Sequence, residues 1–290
     1  MKALVRWGAI LSLVGGTLVG PSMIQQMSAM ALPEEQVLKQ LTNVPLFMIT
    51  NQQGQPLTYA APNPATPNDK TKQVQVFTFF VSQSDAQTAL TTLKNGKPDL
   101  AKVAKVSPAS LSGVIQFALN GKKQNSNVGV DIIPNQQQLQ SAVSILKQSG
   151  ELVDKDGKLV TKAGQPFQGG TPLFFVADSK TGGPIAVEIT GKENGQDKKV
   201  RLVPFYFSQQ DLQSELEQAK KQRPDLATST KINVVMLDTL VATLLSNNDP
   251  TVSEFQLVPP RESIDFLRQQ QPAKAPGAPV PAAPAPAPKK

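Results

Sequence analysis

Phe79-Phe80-Val81-Ser82-Gln83-Ser84-Asp85-Ala86-Gln87, running on to Pro98-Asp99-Leu100-Ala101, occurs a second time as Phe205-Tyr206-Phe207-Ser208-Gln209-Gln210-Asp211-Leu212-Gln213, running on to Pro224-Asp225-Leu226-Ala227. The offset is 126, and from Phe79 to Leu111 the copies agree without a gap at 13 of 33 positions. A gapless match of this length points to duplication. Each copy predicts a strand that enters a capped helix. Ser82 and Asp85, like Ser208 and Asp211, stand three apart before an apolar helical pattern, so the hydroxyl accepts an orphan N–H while the carboxylate returns to the cap. Ala86, Ala89, Leu90 and Leu93 then share one helical face, as do Leu212, Leu216 and Ala219, and Pro98 and Pro224 stop the helices. A serine, an aspartate and a glutamine together also suggest catalysis, but capping accounts for all three.

Working outward, each copy begins with a short apolar strand, Val44-Pro45-Leu46-Phe47-Met48-Ile49-Thr50 or Thr171-Pro172-Leu173-Phe174-Phe175-Val176-Ala177, then turn residues and a second short strand, an opening hairpin. A proline-rich excursion over 61–72 and a polar one over 190–199 separate these from the main strands. Residues 74–81 are apolar on both faces and predict a central strand. Its counterpart, 200–207, contains Pro204, so it is either bulged there or open on that side. After the capped helices come strands at 105–109 and 231–235. Second helices follow, with stripes Leu111, Val114, Ile115, Ala118, Leu119 and Leu237, Leu240, Val241, Leu244, Leu245, and then a third strand and helix. Strands alternating with helices of this length give a mixed α/β (α+β) class: two tandem, pseudo-twofold-related repeats, each a small sheet with about three helices.

The expected organisation is a signal peptide at 1–31, repeat one at 32–149, a linker at 150–170, repeat two at 171–268 and a Pro/Ala-rich disordered tail at 269–290. Lys2 and Arg6, the apolar run 7–19 and Ala29-Met30-Ala31 are the three parts of a cleaved export signal; a bilayer span needs about 20 apolar residues, and this run breaks at Gly20-Pro21. No other stretch is long or apolar enough to cross a membrane. Pro33-Glu34-Glu35 opens a short helix whose apolar residues Val37, Leu38 and Leu41 pack on the first repeat or cover its partner. In the linker, Asp154, Asp156 and Gly157 resemble part of a calcium loop but lack a third acidic ligand and a closing glutamate; a hairpin turn at Asp156-Gly157 is the better reading.

The composition removes whole classes of chemistry. There is no histidine and no cysteine, so the commonest general base, the usual zinc ligands and thiol nucleophiles are missing. No glycine loop that cradles phosphate, nucleophile elbow or serine–lysine motif set is present, which leaves no catalytic, cofactor-binding or metal-binding residue to name. The net charge is +7, but Lys2, Arg6, Lys274, Lys289 and Lys290 lie in the terminal segments; removing those five leaves +2 for the body, which offers no track for nucleic acid. What remains is apolar surface. The phenylalanines recur at matching strand positions, and although most belong in a core, an apolar stripe between or behind paired halves is a seat for an unfolded or lipid-bearing partner. The candidate client-binding residues are Phe47, Phe79, Phe174, Phe205, Leu111 and Leu237.

The V-P-x-F opening of Val44-Pro45-Leu46-Phe47, the related Thr171-Pro172-Leu173-Phe174, the F-F/Y-x-S-Q-x-D helix starts and the P-D-L-A stops resemble the 22 kDa Tic subunit family of chloroplast envelopes and cyanobacteria, over roughly residues 33–267. The bacterial-type signal favours the cyanobacterial branch. The resemblance implies a pseudo-twofold α/β protein with apolar surface pockets and no catalytic residues. It further implies a chaperone or escort in the periplasm, with the thylakoid lumen as alternative, serving outer-membrane biogenesis; the missing phosphate loop makes that escort ATP-independent. Its partners are then unfolded or outer-membrane precursor proteins and envelope translocon or assembly components. The rival expectations are a scaffold joining folded envelope partners, an unrecognised hydrolase or isomerase, and a lipid carrier.

Overall fold

The computed structural model describes residues 12–13, 32–63, 72–96, 102–124, 126–193, 196–247 and 249–270. Apart from Ser12 and Leu13, which bridge antiparallel to Glu188 and Val187, the expected signal segment lies outside the described residues. So do the Pro/Ala-rich tail beyond 270, most of the proline-rich excursion and the Pro98 stop.

From residue 34 onward the elements are α1 (Glu34–Leu41), β1 (Pro45–Thr50), β2 (Thr58–Pro62), β3 (Gln73–Phe80), α2 (Gln83–Gly96), β4 (Lys105–Ser110), α3 (Leu111–Lys123), β5 (Val128–Ile133) and α4 (Gln136–Gln148). A hairpin of β6 (Leu152–Lys155) and β7 (Lys158–Thr161) leads to β8 (Pro172–Asp178), β9 (Val187–Glu193), β10 (Gln196–Tyr206) and α5 (Gln209–Gln222). Next come α6 (Leu226–Ser229), β11 (Thr230–Met236), α7 (Leu237–Ser246), a 3-10 turn (Pro250–Glu254), β12 (Phe255–Val258) and α8 (Arg261–Gln270).

The two large sheets have one plan. In the first, β3 pairs antiparallel with β2, meets β1 at Phe47 opposite Phe80, and carries β5 parallel on its far side; β4 lines the outer edge of β1. In the second, β10 pairs antiparallel with β9, meets β8 at Phe174 opposite Tyr206, and carries β12 parallel; β11 lines β8. The opening strand pairs foreseen as hairpins are joined only by the bridges Thr50–Pro56 and Ala177–Pro184, because β2 and β9 bond instead to the central strands. The polar excursion foreseen over 190–199 is largely a continuation of the β9–β10 ladder. Pro204 sits where that ladder is open. The Phe207 N–H bonds to the Val258 carbonyl at 3.1 Å, so by alternation Pro204 turns its nitrogen away from β12. On that side β9 has ended at Leu202 and β8 joins only at Tyr206, so no donor is missed.

Alternation along each strand gives the sheets two buried faces. The inner faces meet in one cluster that holds Leu46 and Phe79 of the first sheet, Leu173, Phe175 and Phe205 of the second, Leu111 and Val114 of α3, and Leu237, Leu240 and Leu244 of α7. Helix α1 belongs to neither half alone: Val37 and Leu41, both fully buried, sit in this shared cluster, and α1 touches α3, α7 and β12. On the outer face of the first sheet lie α2, with Ala86 and Leu90 buried, and α8, whose Phe266 meets Phe47 edge-on at 5.7 Å. On the outer face of the second lie α5, with Leu212, and α4, with Ala142, packed on Phe174, Tyr206 and Val234. The last helix of each half therefore crosses to the other sheet: α4 leaves the first sheet to cover the second, and α8 leaves the second to cover the first.

Both crossings are fastened by hydroxyls. Thr171 donates to the Ile132 carbonyl at 3.0 Å, and fully buried Ser263 donates to the Val81 carbonyl at 3.2 Å. The two expected capping pairs behave differently from the sequence reading. Ser208 does cap α5, accepting the Asp211 N–H at 3.1 Å, whereas Ser82 bonds the Ser84 hydroxyl at 2.7 Å. Neither aspartate closes back on its cap. Asp85 accepts from Asn135 (3.0 Å) and Asp211 from the Arg261 N–H (3.1 Å), so each carboxylate pins the first residue of a third helix or the cap before it.

Candidate functional site

All six residues expected to contact clients are core. Phe47, Phe79, Phe174, Phe205, Leu111 and Leu237 are at most 6 % exposed. The reason is local. Phe205 lies between Phe175 and Phe255, with ring centres 5.3 and 5.0 Å away. Leu111 and Leu237 start α3 and α7, and their N–H groups bond the carbonyls of Val44 (2.9 Å) and Thr171 (2.8 Å), which turns both side chains into the shared cluster. Phe47 and Phe174 face outward from their sheets but lie under α8 and beside α4. None of the six lines an open groove.

A small apolar cavity, about 40 Å³, opens where β8 and β9 part over Pro204, and α5 roofs it. Val176, Ile185, Val187 and Leu202 line its floor, and Leu212 and Leu216 its roof. At one end stands a polar group with no equivalent in the first half. Tyr206 donates its hydroxyl to Glu215 at 2.5 Å, and Glu215 accepts from the Arg261 guanidinium at 3.2 Å. Arg261 also lies 3.7 Å from Asp211. Burial first, and then the Glu215 carboxylate, push the Tyr206 phenol far above its usual range, so it stays protonated and keeps its proton for the bond to Glu215. The corresponding residues of the first copy are Phe80 and Ala89, which carry no polar atom on their side chains.

Among the described residues no group of His, Cys, Asp or Glu is placed to hold a metal ion. The linker aspartates form no ligand set: Asp154 pairs with Lys147 at 2.6 Å, and Asp156 (φ 53°) and Gly157 (φ 74°) make the two-residue turn between β6 and β7. A wider surface hollow, about 410 Å³, lies beside Tyr59 and is floored by β2 and β3. Tyr59 is half exposed and its hydroxyl bonds Asp131 at 3.4 Å. Phe117, off the apolar stripe of α3 and unremarked in the sequence reading, is 38 % exposed and stacks edge-on against Phe77 at 4.8 Å. Its signal was an aromatic side chain outside the helical face that forms the core. Among the described residues no helix is long and apolar enough to cross a membrane.

The fold defines a class: a mixed α/β protein built on two sheets of like order, each covered on its outer face by the last helix of the other half. The chain belongs to the Tic22-like family, whose model matches residues 17–270. Among solved structures it is similar to Anabaena Tic22, a protein-transport protein, at 25 % identity and a TM-score of 0.63, over 87 % of this chain and 100 % of that one. It also has the fold of Tic22 from Plasmodium falciparum, at 17 % identity and a TM-score of 0.52, over 80 % of this chain and 96 % of that one. No curated protein matches it by sequence.

Proposed function

We propose that this chain is an exported, ATP-independent escort for proteins in transit to the outer membrane, working in the periplasm and holding apolar segments by contact rather than by chemistry. The observation that carries this reading is the likeness to Anabaena Tic22, a protein of protein transport whose whole length this chain covers. The N-terminal pattern of two basic residues, an apolar run and Ala29-Met30-Ala31 supports export, and the absence of a phosphate loop supports ATP independence. A non-enzymatic role accords with a sequence that lacks histidine and cysteine.

Light scattering tests it. A denatured outer-membrane barrel protein is diluted into buffer with and without an equimolar amount of residues 32–290. The escort reading expects aggregation to be suppressed without nucleotide. Undiminished scattering, with the protein shown folded by circular dichroism, would overturn it and favour a scaffold that binds folded envelope partners.

A further inference from the structure

We infer that the outer edge of β11 is a latent surface for strand pairing with a second copy of this chain, and that the side chain of Asn233 keeps it shut. This goes beyond the escort reading and stands without it.

The strands β4 and β11 end the two sheets on corresponding sides, and among the described residues no strand pairs with the outer side of either. Such an edge offers a row of N–H and C=O groups to any other strand. The ladder shows which groups those are. The Leu237 N–H bonds the Thr171 carbonyl at 2.8 Å, so by alternation Val235, Asn233 and Lys231 bond toward β8, while Met236, Val234 and Ile232 turn their backbone groups outward. In the first half the Leu111 N–H bonds the Val44 carbonyl at 2.9 Å, which makes Val106, Pro108 and Ser110 the outward residues of β4.

Positions 108 and 234 are equivalent, 126 apart, and neither presents a free donor. Pro108 has no N–H to offer. Val234 has one, but the side-chain oxygen of Asn233 accepts it at 2.9 Å. The neighbouring positions agree. Lys105 and Lys231, again equivalent and both exposed, put a charge at the start of each edge, and the Thr230 N–H is held by the Leu226 carbonyl. On β2 the Asn63 N–H bonds the Lys72 carbonyl at 3.0 Å, which turns Pro62 outward as well. Edges are thus closed throughout, by proline in the first half and by a single side-chain bond in the second.

That single bond guards the more hazardous strand. Ile232 to Met236 reads Ile-Asn-Val-Val-Met, with no charge and no proline, the composition of a segment that pairs readily. Asparagine is a poor strand former, and the bond to Val234 accounts for its presence there. The occupant this edge fits is itself. Two β11 strands set antiparallel about a twofold axis, with Val234 facing its own counterpart and Ile232 facing Met236, use every outward group of the three residues. Capping the Val234 N–H removes both central bonds of that pairing, one from each copy. A register centred on Ile232 would need the Thr230 N–H, which Leu226 already holds.

Sedimentation velocity on the full chain tests this with wild type, Asn233→Val and the double variant Asn233→Val/Val234→Pro. Asn233→Val frees the central donor and is expected to strengthen self-association about tenfold or more, the gain from two recovered backbone bonds. Adding Val234→Pro removes that donor without loss of a bond to β8, as Pro108 does on β4, and is expected to restore the wild-type distribution. An Asn233→Val protein that is folded by circular dichroism and sediments as wild type does overturns the inference; so does association that persists undiminished in the double variant. Hydrogen exchange on the wild type decides it without any variant. The Ile232 and Met236 amides are expected to exchange at least about tenfold faster than those of Asn233 and Val235, which bond β8. Equal protection of the two sets would mean that the edge is already covered, and the inference falls.

Discussion

Phe47 and Phe174 hold the same place in the two sheets, each paired across its central strand and each fully buried on the outer face, yet each is approached by a helix from the other half of the chain. With α1 set in the shared cluster, this makes the described chain one packed unit rather than two joined ones.

Leu41→Ala tests that unity. Leu41 is fully buried among residues of both halves, so its truncation removes about 2–5 kcal/mol from the whole. Scanning calorimetry of wild type and variant is expected to show one transition each, with calorimetric and van't Hoff enthalpies in agreement. Two peaks, only one of them displaced, would show that the halves melt independently.

Tyr206→Phe separates the hydroxyl from the ring. At neutral pH the loss of its bond to Glu215 costs about 1 kcal/mol, since Glu215 keeps Arg261. The alkaline limb is more telling. In the unfolded chain this phenol ionises near 10, while in the fold burial holds it protonated well beyond that. Above pH 10 the unfolded state loses the proton first, so wild-type stability falls by up to about 1.4 kcal/mol per pH unit on this account, and the variant lacks that part of the slope. Urea midpoints at pH 9, 10, 10.5 and 11 read it; parallel curves for the two proteins contradict the assignment.

Gly121→Ala probes a close approach at the end of α3. An added Cβ meets Cγ2 of Val128 at 2.7 Å and the Ser126 hydroxyl at 3.0 Å, and a branched strand side chain has little room to move. A loss of about 1–3 kcal/mol is expected, where an open helical site gains from the same change. A raised melting temperature would show that β5 gives way freely.

Ser208→Ala removes the cap of α5 and is expected to cost about 1 kcal/mol, a fall in melting temperature of roughly 2–4 °C for a chain of this size. An unchanged melting curve would mean that water serves the Asp211 N–H equally well.

The sequence carried the parts of the fold that are local. The period of Leu237, Leu240, Val241, Leu244 and Leu245 identified a buried helix face, of which the first four are buried and Leu245 half-buried; Asp156-Gly157 identified a hairpin turn; Pro204 allowed a bulge or an open side, and the open side is what forms. It did not carry what depends on partners distant in the chain. Nothing near Ala142 or Phe266 says that each lies on the opposite sheet, because an amphipathic face specifies that it be covered and not by what. The same ambiguity governed the candidate site. Phe47 and Phe174 read equally well as core or as groove, and only the crossing helices decide between them. The acidic pair Asp211–Glu215 was half visible, as a helix-start residue and an ordinary helical glutamate; its link to Arg261 spans 50 and 46 positions and leaves no local signature.

The crossing of α8 also sets an order of events during synthesis. A ribosome releases the strands of the first sheet long before residues 261–270, so the outer face around Phe47 stays bare until nearly the whole body of the chain has emerged. The first half therefore cannot finish folding until the last of the described helices has been made.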